Sequence, residues 1–379
     1  MKIALYYPWV YLKSGVERTI YQTITRSRHE WDIFTSHYDK NNTFPEFKNL
    51  NINILSSISV NRSFYHTIRA ILKISIMKIN EEKYDAILIH SEGLGNFFTL
   101  KHNKIPIFCY CHTPVRSVYD PVYIDTYLKN NPNKKYLLKI FLIIYRYFDK
   151  KCWNRYDKVF VNSLEVKKRL LDNNLVDKNK IIVLNPGIDV SISDFSLINE
   201  KYFLVAGRIM WTKNIELAIN AFNDFSYSTG TYKLIIAGMV DKKSENYLLQ
   251  LMKLTDNNRN IIFKISPTDS ELTNLYKKCT ALLFPPLNED FGMVPLEAMS
   301  FGKPVIAVKN GGPKETIVNN KTGYLVEPFP GKFSIKMKML VENKTIYNSM
   351  AKASYNHIKK YDWSNYVTKI DNYIDTLKN

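Results

Sequence analysis

The chain runs to 379 residues, 45% of them hydrophobic, with a formal net charge of +18. The hydrophobic share is ordinary for a globular protein and the length is about twice that of one domain, so two domains are expected. No apolar run approaches the ~20 residues that span a bilayer, and Cys109, Cys111, Cys152 and Cys279 lack metal-ligand spacing, so buried thiols in a reducing compartment are expected.

Residues 2–7 read as a first strand, and Pro8 breaks the run too early for a signal peptide. Ser14-Gly15-Val16-Glu17-Arg18 follows after a short loop. Gly15 there lets backbone approach a phosphate or sugar at a helix start, although a simple turn also uses a glycine. Further strands are expected at 31–35, 86–90, 107–111 and 158–162, with helical stretches over 64–78 and 134–151. His90 and Glu92 lie at one strand end, where a ligand pocket, a core or a loop role fits equally. Cys111-His112-Thr113-Pro114-Val115-Arg116 closes the next strand. A strand-end His112 can hydrogen-bond a ligand hydroxyl; a satisfied structural histidine is the plainer alternative.

After residues 181–184, Asn185-Pro186-Gly187-Ile188-Asp189 interrupts the pattern, which sets one domain over 1–185 and a second over 186–360. Strands are expected in the second at 202–206, 233–237, 261–265, 281–284 and 305–307, alternating with helical runs in doubly wound α/β fashion. Gly207-Arg208-Ile209-Met210-Trp211-Thr212-Lys213-Asn214 follows a strand and opens a helix. Arg208 can fork onto two phosphate oxygens and Lys213 adds a point charge; in isolation they also fit a surface arginine and a helix-start lysine. The most informative stretch is Glu289-Asp290-Phe291-Gly292-Met293-Val294-Pro295-Leu296-Glu297, behind an apolar strand and Pro285-Pro286. It reads as a loop entering a helix whose unpaired N–H groups favour an anion, with Pro295 tolerated in the first turn. A ligand bearing phosphates and hydroxyls suits both acids, as does a solvated acid followed by a capping acid.

With the flanks Gly302-Lys303-Pro304-Val305-Ile306-Ala307, Gly311-Gly312-Pro313-Lys314-Glu315-Thr316-Ile317 and Thr322-Gly323-Tyr324-Leu325-Val326, this E-x7-E element resembles the retaining glycosyltransferases of family 4. The resemblance implies the GT-B fold: α/β, two facing Rossmann-like doubly wound domains with a deep interdomain cleft. It implies an acceptor-binding domain over 1–185, completed by a C-terminal helix at 361–379, and a sugar-nucleotide donor domain over 186–360. Arg208 and Lys213 would neutralise the donor diphosphate, Glu289 would contact the transferred hexose near its 3-hydroxyl, and Glu297 would hold the ribose hydroxyls. Amides of Phe291, Gly292, Met293 and Val294 would hold sugar and phosphate oxygens, and Ile265 would meet the base through its backbone. Family members often carry glycine where Ile265 stands, and another where Ser14 stands; Gly15 keeps its donor-binding place. His112 is implied beside the reacting sugar, completing a catalytic set with Arg208, Lys213 and Glu289. Pro114 and Arg116 extend a form most like the family's mannosyltransferases, with His90, Glu92 and Arg116 on the acceptor side.

The expected reaction moves a hexose, foremost mannose from GDP-mannose and otherwise a UDP-linked glucose, galactose or N-acetylglucosamine. The acceptor is a hydroxyl of a glycan or lipid-linked molecule in surface polysaccharide or glycoconjugate synthesis, with no metal and no cofactor. Charge is uneven: residues 1–185 hold 29 Lys and Arg against 16 Asp and Glu, and residues 186–379 hold 24 against 19. No nucleic-acid-binding module accompanies it. Basic residues alternate with apolar ones in 64–78 and 134–151, which suits an anionic membrane surface and, equally, core-facing helices with lysine-rich outer faces. A cytoplasmic location, peripheral on the membrane face, is therefore expected. The rivals are a sugar-nucleotide epimerase or phosphorylase on the same two-domain plan, and a non-catalytic protein that binds polyanions and ignores sugar nucleotides.

Overall fold

A computed structural model describes residues 1–61, 63–189, 195–229, 231–255 and 258–378. The chain divides into two compact units, residues 1–187 with 363–379, and residues 188–362.

The first unit runs β1 (Lys2–Tyr6), α1 (Gly15–Arg26), β2 (Glu30–Thr35), β3 (Ile52–Ile54), α2 (Phe64–Ile76), β4 (Ala86–Ser91), β5 (Ile107–Cys111), α3 (Arg116–Tyr119), α4 (Pro121–Asn130), α5 (Lys135–Trp153), β6 (Lys158–Val161), α6 (Leu164–Asp172) and β7 (Ile181–Val183). All seven strands are parallel, in the order β3-β2-β1-β4-β5-β6-β7. The central strands β4 and β5 are buried at every residue, as parallel strands covered on both faces must be. Cys109, Cys111 and Cys152 are buried in this core and Cys279 in that of the second unit, none of them in a disulfide.

The second unit runs β8 (Tyr202–Ala206), α7 (Ile215–Thr229), β9 (Lys233–Gly238), α8 (Glu245–Thr255), β10 (Ile261–Ile265), α9 (Asp269–Lys278), β11 (Ala281–Phe284), α10 (Met293–Ser300), β12 (Val305–Val308), α11 (Pro313–Thr316), β13 (Gly323–Val326), α12 (Pro330–Glu342) and α13 (Lys344–His357). Its six parallel strands are ordered β10-β9-β8-β11-β12-β13. Both sheets thus reverse their winding once, between β1 and β4 and between β8 and β11. Ligands of such sheets bind outside the carboxyl ends of the strands at that switch point.

Helix α14 (Trp363–Asp375) belongs to the first unit. Its Asp371 carboxylate accepts from Ser27 Oγ at 2.5 Å and from the Arg28 amide at 3.0 Å, and its Tyr366 ring packs edge-on to Tyr110 with centroids 5.5 Å apart. Strands β3, β7 and β13 are not among those expected from the sequence. All are short edge strands of three, three and four residues, too brief for any periodicity to show.

Candidate active site

In the second unit the site starts where β8 ends. Gly207 takes φ +121° and donates to the Ala237 carbonyl at 3.1 Å, and a Cβ on Gly238 would lie 1.8 Å from the Gly207 oxygen. Backbone therefore packs on backbone at the end of β8 and β9, and the chain turns so that Arg208 stands exposed above the carboxyl edge. Buried Ile209 anchors the turn. Asn214, left-handed at φ 49°, donates from Nδ2 to the Pro285 carbonyl at 3.1 Å, which ties the β8 loop to the β11 loop. Between those ties, Lys213 Nζ meets Glu289 Oε2 at 2.7 Å with both side chains mostly buried. A charge-assisted bond of this kind contributes about 1.5–3 kcal/mol.

Glu289 owes its position to two glycines. Its carbonyl accepts from the Gly312 amide at 3.0 Å. Gly311, at φ +62°, would place a Cβ 2.4 Å from that carbonyl, and Gly312 would place one 2.4 Å from Phe291 Cα. Only side-chain-free residues let the 289–291 loop lie on the turn between β12 and α11. The sequence reading carried Gly311 and Gly312 as family flanks; their physical task is to seat this loop.

Gly292 caps α10 at φ +89° with no side chain, so the Met293 and Val294 amides meet no side-chain cap and favour a negatively charged ligand. Phe291 is buried instead, with its ring 5.8 Å from that of Tyr361. Glu297 sits on the same helix and accepts from Tyr276 Oη at 2.9 Å through Oε2. Burial keeps the Tyr276 hydroxyl protonated far above its usual range, so it retains the proton that it donates to Glu297. No signal in the sequence connects Tyr276 to Glu297. Ile265 ends β10, 43% exposed, and the next residue, Ser266, bonds the Gly238 carbonyl through its amide at 2.9 Å.

In the first unit His90 and His112 leave the ends of β4 and β5 and bond each other, Nδ1 to Nε2, at 3.0 Å. His90 was expected on the acceptor side, but it is fully buried, so its imidazole reaches a ligand only through His112. Burial, with the His112 charge beside it, keeps His90 neutral well below the usual histidine range. His90 Nε2 is buried with no hydrogen-bond partner. The tautomer that leaves a lone pair there, rather than an orphaned N–H, puts the proton on Nδ1 and donates it to His112. A neutral His112 then carries its own proton on Nδ1. The Asn162 Nδ2 amide clamps the His112 carbonyl at 2.9 Å, and the Tyr110 ring packs edge-on at 5.0 Å.

Glu92 accepts from Tyr7 Oη at 3.0 Å and lines a small pocket of about 120 Å³ with Trp9, Asn61, His66 and Ser117. Arg116 opens α3, with its guanidinium over the Tyr123 ring at 5.4 Å; its neighbours Val115 and Ser117 line the pocket. Gly15 opens α1, exposed, behind the N-cap Ser14. Buried Glu17 ties this loop, accepting from Ser14 Oγ and from the Tyr11 and Leu12 amides. The structure thus joins Lys213 to Glu289 and His90 to His112, places Ile265 at the end of β10, and places Arg208, Gly292 and Glu297 on the loops and helix beyond the strand ends. Among the described residues, no cluster of three or more His, Cys, Asp or Glu side chains has the arrangement of a metal site.

Two parallel sheets in Rossmann order, one in each unit, are those of the GT-B fold. The family model for glycosyltransferase family 4 matches residues 13–192, and that for glycosyl transferases group 1 matches residues 192–357. The alpha-1,3/1,6-mannosyltransferase ALG2 of Saccharomyces cerevisiae is 30% identical over 82% of this chain and 70% of that protein. Its Dictyostelium discoideum counterpart is 29% identical over 78% of each. Among solved structures, sucrose-phosphate synthase of Thermosynechococcus elongatus superposes with a TM-score of 0.76 at 16% identity, covering 100% of this chain and 99% of that one. HepE of Anabaena, in complex with UDP and glucose, gives 0.75 at 15% identity and 99% of each chain. The chain belongs to glycosyltransferase family 4 and is a transferase.

Proposed function

We propose that the protein transfers mannose from GDP-mannose, with retention of configuration, onto a hydroxyl of a glycan or lipid-linked acceptor at the cytoplasmic face of a membrane. The Lys213–Glu289 ion pair at the β8–β11 switch point carries the reading. A lysine ammonium has three donors; with one on Glu289, the others serve a diphosphate. Glu289 keeps Oε1 for a sugar hydroxyl. As the anomeric carbon–phosphate oxygen bond breaks, negative charge grows on the departing diphosphate. Arg208, Lys213 and the α10 amides supply fixed positive charge for it without a divalent cation. The acceptor oxygen bonds to the anomeric carbon on the face that the leaving group vacates, and its proton passes to the leaving phosphate oxygen, so no protein nucleophile takes part. Glu297, fixed by Tyr276, is the ribose ligand in this scheme.

The ALG2 relatives, named as alpha-1,3/1,6-mannosyltransferases, support mannose over other hexoses. No helix among the described residues is long and apolar enough to cross a membrane; a peripheral location rests on the basic first unit. The test is thermal unfolding with GDP, UDP and ADP at one shared concentration, where a nucleotide at 100 times its dissociation constant adds about 2.7 kcal/mol. GDP is expected to stabilise most. A larger response to UDP replaces the donor, and no response to any of the three overturns the donor site.

A further inference from the structure

Three strand ends of the first unit converge on one residue. His112 follows β5 and gives its amide to the carbonyl of Ser91, the last residue of β4, at 2.8 Å. Its Nε2 meets His90 Nδ1 at 3.0 Å. The third hold comes from the other side. The β5–β6 ladder ends at the Cys111–Val161 pair, and at the next rung a side chain replaces the backbone: Asn162 Nδ2 donates to the His112 carbonyl at 2.9 Å. On the same segment Arg169, paired with Glu165 at 3.2 Å, reaches Thr113 Oγ1 at 3.4 Å.

Asn162 is itself fixed. Ser163 Oγ donates to its Oδ1 at 3.2 Å and accepts the Val166 amide at 3.0 Å as the N-cap of α6. With a hydroxyl on Oδ1, the donor end of the amide faces His112; a flipped amide would set oxygen against oxygen. Asn185 Nδ2 in turn donates to the Asn162 carbonyl at 3.0 Å. Asn162 and Ser163 are both buried, so little water competes for these bonds.

Backbone bonded in this way has one setting for the chain that leaves β5. It therefore sets the His112 ring at the carboxyl edge, where ligands of a parallel sheet bind. We infer that Asn162 is a positioning residue of the transfer reaction, acting through His112. This goes beyond the donor chemistry of the second unit and rests on His112 serving a substrate. A reacting group has to be held within about 0.5 Å of its productive place, and a 1 Å misplacement costs about 100-fold in rate.

The test is a double-mutant cycle on the full chain, read as GDP release from GDP-mannose and UDP release from UDP-glucose. Asn162→Ala is expected to lower kcat by about 10- to 100-fold with donor KM within about twofold. Asn162→Leu keeps the branched shape without the N–H and is expected to do the same, which covers a failure of the alanine variant to fold. His112→Ala lowers kcat by itself, and adding Asn162→Ala to it is expected to cost less than about twofold more. A residue that serves only the fold lowers kcat by the same factor in both backgrounds. That result, or wild-type kcat in a folded Asn162 variant, overturns the positioning role. So does wild-type kcat in His112→Ala, which removes His112 from the reaction and leaves the Lys213–Glu289 donor site standing. Loss of nucleotide-induced stabilisation in an Asn162 variant overturns it as well, because the damage then lies in the donor unit rather than at His112.

Discussion

Gly312→Ala isolates the seat of Glu289 from its chemistry. The added methyl would lie 2.4 Å from Phe291 Cα and O, where ordinary contact begins at 3.4 Å, so the 289–291 loop must retreat by about 1 Å. That motion strains or breaks the bond from the Gly312 amide to the Glu289 carbonyl, worth about 1 kcal/mol, and overpacking adds about 1–3 kcal/mol. Against the stability of a folded domain, about 5–15 kcal/mol, the variant stays folded. Catalysis suffers more, because a 1 Å misplacement of a positioned group costs about 100-fold. The assay is kcat/KM for nucleotide release from the preferred sugar nucleotide, with melting curves taken on the same samples. Gly331→Ala is the control: nothing lies within 4 Å of its added methyl, so activity should hold and stability should rise by about 0.5–1 kcal/mol. Wild-type kcat/KM in Gly312→Ala refutes the claim that this turn positions Glu289.

Lys213→Ala and Glu289→Ala should each abolish transfer and lower stability by about 1–3 kcal/mol, and a double-mutant cycle on melting should return a non-zero coupling. His90→Gln should cut kcat about tenfold with little change in donor KM, the loss of one orienting hydrogen bond of ~1.4 kcal/mol to His112; an unchanged kcat removes His90 from any positioning role. Glu17 gives a pH signature. Burial, opposed by the Ser14 hydroxyl and reinforced by the Glu92 charge, pushes its carboxyl from 4.5 up to about 7. The fold keeps this proton where the unfolded chain loses it, so stability falls as pH rises from about 4.5 to 7, by at most ~1.4 kcal/mol per unit, and levels above. Glu17→Gln, which keeps an acceptor for the Tyr11 and Leu12 amides, should lose that slope. Asp149, raised to about 6 mainly by burial, adds the same sign at lower pH in both proteins and cancels in the difference.

Both sheets were legible because parallel strands buried on two faces read as unbroken apolar runs, as in Ile107–Cys111 and Ala281–Phe284. Strand β3 was not, because Asn53 interrupts its three residues; parallel pairing to β2 and a bond from Asn53 Nδ2 to the Ile33 carbonyl hold it there. Candidate residues were legible where they follow strand ends, as Arg208, Glu289 and His112 do, because topology alone puts such positions at a ligand. What stayed hidden depends on approach across long separations. Lys213 and Glu289 lie 76 positions apart, Tyr276 and Glu297 lie 21 apart, and nothing local announces either contact. The burial of His90 was equally invisible, since a strand-end histidine reads the same whether it faces ligand or core.

The membership of α14 in the first unit bears on the order in which the protein is made. Residues 188–362 are an insertion between the body of the first unit and the helix that packs on α1. At roughly 5–20 residues per second of synthesis, these 175 residues impose a wait of roughly 10–35 s before α14 emerges. The second unit can close on itself during that interval. The first must hold the surface destined for Tyr366 and Ile370 uncovered meanwhile, a window in which a ribosome-associated chaperone would find its binding site.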